Sequence, residues 1–258
     1  MRVTDSVERV ALALEALAAA PEGVGVTEVA RVLDVHKATA SRLLGTLALR
    51  GLVERDPATR LYRLGPRLVS IAGGAVARLP IVSQARSELE QLTALTSETS
   101  NLAVLDRFHV VYVDQVTPSE SVVMASWVGR RSPAHASSSG KVLLAFGPER
   151  LREELLSRQL EALTERTVTD PTRLRAVLDE VRRAGSARSI GELEDGLVTI
   201  AAPVLSEGRP LAAVSLSGPT FRIAPRDHAH LTGMVVNAAA AIGHRVAGRA
   251  SGLAAAPR

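Results

Sequence analysis

Four polar side chains crowd the start of one helical stretch, and their types suit the edges and phosphates of a DNA duplex. Lys37, Thr39, Ser41 and Arg42 project away from a stripe of Ala40, Leu43, Leu44 and Leu47, which recurs at i, i+3, i+4 and i+7. A guanidinium such as that of Arg42 can take a guanine edge with two hydrogen bonds, while a lysine and hydroxyls suit phosphates or bases. The N-terminal end of such a helix is the part that meets base edges in the major groove.

That chemistry needs a scaffold, and the flanking residues spell one. Thr27 can cap a first helix with Val29, Ala30 and Leu33 on one face, and Asp34-Val35-His36 is a three-residue break. The second helix runs from about Lys37 to Arg50 and stops where Gly51 supplies a C′ residue. Leu52–Arg55 and Leu61–Leu64 alternate apolar and charged residues around Asp56–Arg60, which carries turn chemistry. Helix, turn, helix and hairpin together spell a winged helix-turn-helix whose wing would set Arg55, Arg60 and Arg63 on phosphates. A third helix precedes it, with Asp5 and Glu8 in capping-box positions, Val7, Val10, Ala11, Leu14 and Leu17 on one face, and Pro21-Glu22-Gly23 as its stop. From His36 to Arg67, seven Lys/Arg stand against two Asp/Glu; that net +5 exceeds the +4 of the whole chain.

With 258 residues and 46% hydrophobic content the chain can hold two modest domains. Aromatics at 2% are too few for stacking-based recognition of single strands. No cysteine is present, which removes disulfides, thiolate metal sites and cysteine nucleophiles together. The first twenty residues mix charge with apolar residues and lack a signal peptide's clean apolar run, and no span approaches the ~20 apolar residues of a membrane helix. These features lead us to expect a soluble, cytoplasmic protein without membrane partners.

Residues 66–77 form a linker helix weakened by Gly73-Gly74, broken at Leu79-Pro80 and followed by a stronger helix from Ile81 to about Leu95. From Thr99 the period changes to two. Strands are expected at Ser100–Leu105, Val110–Asp114, Val122–Trp127, Leu197–Val204 and Leu211–Ser217. Helices are expected after Ser137 to Phe146, over Pro148–Leu160 and Pro171–Ala184, and from a Pro225 start through about Ala247, with a frayed end beyond. The fold class is α+β with a mainly antiparallel sheet.

The chain resembles the isocitrate-lyase-regulator (IclR) family of bacterial transcription factors. The resemblance runs through Ser6–Arg9, Leu52–Asp56, Tyr62–Gly65, Val128–Arg131, His135-Ala136, Gly140-Lys141, Ala201–Val204 and Ser215–Pro219, in order over about 240 residues. It implies a winged helix-turn-helix DNA-binding domain over 1–65, a linker helix over 66–80, a GAF-like effector-binding and oligomerisation domain over 81–248 and a flexible tail over 249–258. It also implies homodimers or dimers of dimers, palindromic operators and small-molecule effectors, often organic or aromatic acids. Carried over by motif, the effector pocket would involve Ser138, Ser139, Leu197, Thr199, Ser215 and Ser217.

A helix starting near Ser138 would point unpaired N–H groups at a bound carboxylate, with Val122, Met124 and Trp127 as an apolar wall. Thr199 stands where many members carry cysteine, so no thiol acts there, and Ser189 falls near a usual acidic position, so a less negative pocket is expected. The overall reading is a ligand-responsive DNA-binding regulator, most simply a repressor. The alternative is a small-molecule binding protein or enzyme whose winged domain serves only assembly. Enzyme motifs do not support catalysis: Ala136–Val142 imitates the end of a phosphate loop, but His135 replaces its glycine and Val142 its Ser/Thr. His135 and Ser137 have no acid placed to orient them, and His228, His230 and His244 suggest a metal only weakly. No catalytic residue, metal or cofactor is therefore assigned.

Overall fold

The computed structural model describes residues 5–76, 80–118 and 126–254. They fall into two compact units, Met1–Arg78 and Leu79–Arg258. In the first, α1 (Asp5–Ala19), α2 (Val26–Val32) and α3 (Lys37–Leu49) pack with the hairpin β1 (Val53–Arg55) and β2 (Tyr62–Leu64), and α4 (Arg67–Val76) follows. Ala13, Leu17, Val29, Ala30, Leu33, Ala40, Leu44, Leu47, Val53 and Tyr62 form its core.

The α1 face is rotated from the expected one. Ala13 and Leu17 are buried whereas Val7 is 67% exposed and Ala11 is also at the surface. At 100° per residue, Val7 and Ala11 lie on the flank of the stripe that Val10, Ala13, Leu14 and Leu17 define. Asp5 stands within the helix and pairs with Arg9 at 3.7 Å. Gly25, not Thr27, is the N-cap of α2, and no side chain caps it. The break before α3 depends on Asp34 at φ 49°, and Gly51 closes α3 at φ 70°. Backbone bonds in both directions between Val24 and Tyr62, each 2.9 Å, tie the wing to the segment before α2. The wing turn is held by Asp56, whose carboxylate accepts the amides of Ala58 and Thr59 at 2.8 and 2.9 Å. Those amides hold its pKa below the ordinary carboxylate value.

In the second unit, α5 (Pro80–Thr96) leads into a six-stranded antiparallel sheet of β3 (Thr99–Asp106), β4 (His109–Val116), β5 (Arg131–Pro133), β6 (Ala187–Ile190), β7 (Leu197–Ser206) and β8 (Arg209–Pro219), in spatial order β5-β4-β3-β8-β7-β6. One face carries α5 and the long α10 (His228–Ala254), where Leu89, Leu92, Val235 and Ile242 meet Leu102, Ile200, Val214 and Leu216. The other carries α6 (Ser138–Phe146), α7 (Glu149–Leu156) and α8 (Pro171–Ala184), where Leu143, Leu174 and Leu178 meet Ala103, Leu197, Ala201 and Ala213. Burial on both faces explains why β7 reads as a nearly continuous apolar run.

Several expected elements differ. Of Val122–Trp127, residues 122–125 lie outside the described set, and Ser126 and Trp127 are not in a strand. α7 ends at Leu156 instead of Leu160. α10 opens at His228 with Asp227, not Pro225, as its capping side chain, which accepts the amides of Ala229 and His230. It continues to Ala254, through residues expected to fray. α9 (Thr220–Ile223) links β8 to α10. There the fully buried Glu98 accepts two bonds from Arg222, at 2.7 and 2.6 Å, with Arg226 at 3.6 Å. Among the described residues no helix is long and apolar enough to cross a membrane.

The N-terminal unit yields a stability test. A Cβ on Gly65 would lie 2.3 Å from the Gly51 carbonyl oxygen, whereas one on Gly45 in α3 would meet nothing within 4 Å. Gly65→Ala should cost about 1–3 kcal/mol in urea unfolding, as overpacking does, while Gly45→Ala should be neutral or stabilising by up to ~1 kcal/mol. Equal behaviour of the two variants would contradict this account of the wing's seat.

Candidate functional sites: a duplex-facing helix and a hydroxyl-lined sheet

The α3 stripe that faces the core leaves the opposite side free. Lys37, Ser41 and Arg42 are exposed and Thr39 is half-buried on the flank. Among the described residues, no ion pair involves Lys37, Arg42 or Arg60, so these charges remain available to an anionic partner. Arg31 on α2 differs, because Glu28 neutralises it across one turn at 2.5 Å. In the wing, Arg60 sits exposed in the turn at φ 61°. Arg55 lies over the Tyr62 ring at 5.5 Å and Arg63 donates to the Glu22 carbonyl at 3.1 Å, so both are already oriented by the fold. Sequence reasoning passed over Ala38 and Gly45, which share the outward face with Arg42. A methyl group and a bare backbone there allow close approach to a groove floor.

In the second unit, register creates the site. Thr99 pairs with Ser217, Ser217 with Thr199, and Thr199 with Ser189, so four hydroxyls cross four strands in one row. Asn101 and Ser215 pair in the next row on the same face. The N-terminus of α6 stands over them: Ser137 caps it by accepting the Gly140 amide at 3.0 Å, and Ser138 donates to Thr199 at 2.7 Å. Gly140 permits this seating, because a Cβ there would lie 2.2 Å from the Ala134 carbonyl oxygen. Asn101 donates to Ser217 at 3.0 Å, and Ser189 donates to the Ala136 carbonyl at 3.1 Å.

The structure therefore brings Ser138, Ser139, Leu197, Thr199, Ser215 and Ser217 to one face, all buried. Trp127 joins them through an edge-to-face contact with Tyr112, ring centroids 5.4 Å apart. Met124 lies outside the described residues. Sequence reasoning missed Tyr112, Asn101 and a buried ion pair. Lys141, one turn beyond Ser138, pairs with Glu192 at 2.5 Å, with side-chain exposures of 2% and 11%. Burial lowers the Lys141 pKa, and Glu192 opposes that shift. Glu192 thus puts a carboxylate where the sequence suggested a less negative site, although Lys141 compensates it. His135, weighed as a catalytic partner of Ser137, faces the Glu161 carbonyl at 2.9 Å instead. His228 contacts Arg188 at 2.9 Å, and among the described residues no group of three His, Asp or Glu gathers to hold a metal.

With both sites in view, comparison with known proteins is decisive. Residues 73–244 match the family described as bacterial transcriptional regulator IclR C-terminal, and residues 6–57 match the IclR helix-turn-helix domain. The chain belongs to the IclR family. It is 35% identical over 225 residues to the HTH-type transcriptional regulator BhcR of Paracoccus denitrificans, covering 86% of this chain and 81% of that protein. An IclR regulator from Alicyclobacillus acidocaldarius superposes with a TM-score of 0.81 at 30% identity, covering 94% of this chain and 99% of that one. An IclR homologue from Microbacterium hydrocarbonoxydans, solved with 4-hydroxybenzoate, gives 0.77 at 32% identity over 93% of this chain and 98% of that one. The α+β architecture, with a winged helix-turn-helix ahead of a GAF-like domain, is thus that of IclR regulators. These relatives are named as transcriptional regulators or IclR homologues, not enzymes, and with its helix-turn-helix domain this IclR-family chain is a DNA-binding transcriptional regulator.

Tyr112 offers a handle on the second site. Burial pushes its hydroxyl pKa from 10.0 up to about 12, against hydrogen bonds with Ser132 and Ser139 that act the other way. Below pH 10 both folded and unfolded chains keep the proton; between 10 and 12 only the unfolded chain loses it, so stability falls as pH rises. The loss should be on the order of 2–3 kcal/mol, and Tyr112→Phe should remove it from a pH series of urea unfolding. An identical alkaline decline in the variant would show that this phenol does not titrate late.

Proposed function

We propose that this IclR-family chain is an effector-responsive repressor whose small organic or aromatic acid binds between the α6 N-terminus and the hydroxyl row of the sheet. The observation that carries the reading is the row itself: four hydroxyls in cross-strand register beneath the first turn of a helix. The first amides of α6, those of Ser138 and Ser139, have no partner within the helix, and its dipole favours an anion. Leu197, Trp127 and Tyr112 supply the apolar side, with Met124 as the further wall residue proposed from sequence. That the Microbacterium relative carries 4-hydroxybenzoate supports an acid ligand here.

On the DNA side, Lys37, Thr39, Ser41 and Arg42 face bases while Arg55, Arg60 and Arg63 lie along phosphates. The protein acts in the cytoplasm as a homodimer or dimer of dimers on a palindromic operator. Exposed apolar side chains on α1 and α4, with Val7 at 67% and Val69 at 74%, support self-association. A two-fold dimer pairs two recognition helices with two half-sites. Repression needs no more than occupancy of promoter DNA, and effector binding then works by changing the spacing of the two helices.

Arg42→Ala should cost about 1–3 kcal/mol on operator and relax preference at one base step, whereas Arg60→Ala should weaken operator and random duplex alike. Equal loss on both duplexes for Arg42→Ala would remove its base-reading role. For the effector, a thermal-shift screen with short keto acids and aromatic acids should give a hit worth ~2.7 kcal/mol at a hundred times its dissociation constant. Thr199→Val, which deletes one hydroxyl of the row, should abolish that shift and keep operator binding. A shift that survives the substitution would place the ligand elsewhere.

A further inference from the structure

α3 contains a glycine that its own fold does not ask for. Gly45 lies inside the helix, where glycine weakens helical structure relative to alanine. Its φ is not positive, and a Cβ there would meet nothing within 4 Å. Neither backbone conformation nor packing excludes a side chain. Gly51 and Gly65 differ: the first sits at φ 70°, and a Cβ on the second would strike the Gly51 carbonyl oxygen.

What surrounds Gly45 is the outward face. Seven residues separate it from Ala38, which puts the two within about 20° of one line and about 10 Å apart along the axis. Ser41 and Arg42 lie between them in height, and all four residues are exposed. The neighbouring Thr46 is folded back, its hydroxyl donating to the Arg42 carbonyl at 2.9 Å. A major groove offers hydrogen-bonding base edges and, at thymine, a methyl group. The Arg42 guanidinium suits the first, whereas the Ala38 methyl suits only the second. A side chain at position 45 would stand between the helix and the groove floor and draw both away from the bases. Resting on the reading of bases by α3 proposed above, we infer that Gly45 is a specificity-determining residue. Its missing side chain sets the depth of α3 in the major groove, so that Ala38 packs on the 5-methyl group of a thymine while Arg42 reaches its base.

The test starts from duplexes that the full chain selects out of a randomised pool. Gly45→Ala should bind the selected duplex roughly tenfold more weakly, a loss like that of one wrong base pair, with little change on random duplex. Its thermal midpoint should hold or rise. Gly45→Leu should lose more affinity. Gly233→Ala in α10, another helical glycine whose Cβ would meet nothing within 4 Å, should also hold or raise the midpoint but keep both affinities. Replacing each selected thymine by uracil, which lacks only the methyl group, should cost about fourfold at one position, the worth of one methyl taken out of water. Ala38→Gly should be indifferent to that replacement. Wild-type affinity of Gly45→Ala for the selected duplex, or uracil silent at every position, would overturn the inference. If Arg42→Ala still relaxes base preference, the reading by α3 outlives that result. If Arg42→Ala is silent too, or the chain selects no sequence, the reading by α3 falls together with the inference.

Discussion

Everything in the effector-binding domain depends on how closely the first turn of α6 lies against the backbone beneath it. Gly140 has no space for a side chain beside Ala134, and Ser137 ties down the Gly140 amide. That contact fixes the helix end over β7, and the Ser138–Thr199 bond follows from it. Polar groups packed in so dry a place are strongly specified, because each that loses its partner remains buried and unsatisfied. The sheet meets the helix with a row of short hydroxyls, which donate and accept in either sense and so tolerate more than one arrangement of partners. Two properties of the site thereby come from one packing constraint: a rigid helix end and an adaptable floor.

The DNA-binding domain solves a different problem with few residues. Its core is a handful of aliphatic side chains around Leu44, and the wing is only three residues per strand. Stability of so short a hairpin comes from what it leans on. The Val24–Tyr62 bonds, the Asp56 turn and the Gly51–Gly65 contact anchor it on three sides. The anchoring leaves the outward surface of α3 free of internal obligations, which a reading helix requires.

The sequence disclosed this domain well because its signals are local. The α3 stripe, the Gly51 stop and the turn at Asp56–Arg60 each lie within a few residues, and each recurs in the structure. Where the reading slipped, as in placing the cap of α2 at Thr27, the actual N-cap Gly25 has no side chain to announce it. In the second domain, long strands and helices such as β7 and α8 were legible from period and from proline starts. β5 and β6 were not, since three or four residues containing arginine and serine carry no periodic signal. The candidate site was only half legible. Ser138, Thr199 and Ser217 came from motif resemblance, but the register that sets Thr99 and Ser189 in the same row is a long-range property. Lys141 and Glu192 are 51 residues apart, so neither announces the other.

The clamp between Glu98 and α9 carries a consequence for how such a chain can change over generations. Glu98 is wholly enclosed, whereas the Arg222 and Arg226 side chains are 29% and 35% exposed. Loss of Arg222 would leave the enclosed carboxylate with only the more distant Arg226, at 3.6 Å, a destabilising step. Loss of Glu98 would release two guanidiniums that can turn toward solvent. The steps are therefore ordered: the acid can go first and its partners drift afterwards, while the reverse order passes through a barely stable intermediate. Gly218 adds a second condition, because a Cβ there would strike the Glu98 carboxylate at 2.3 Å. Any lineage that gains a side chain at that position must first have given up the acid, so Glu98, Gly218, Arg222 and Arg226 share one history.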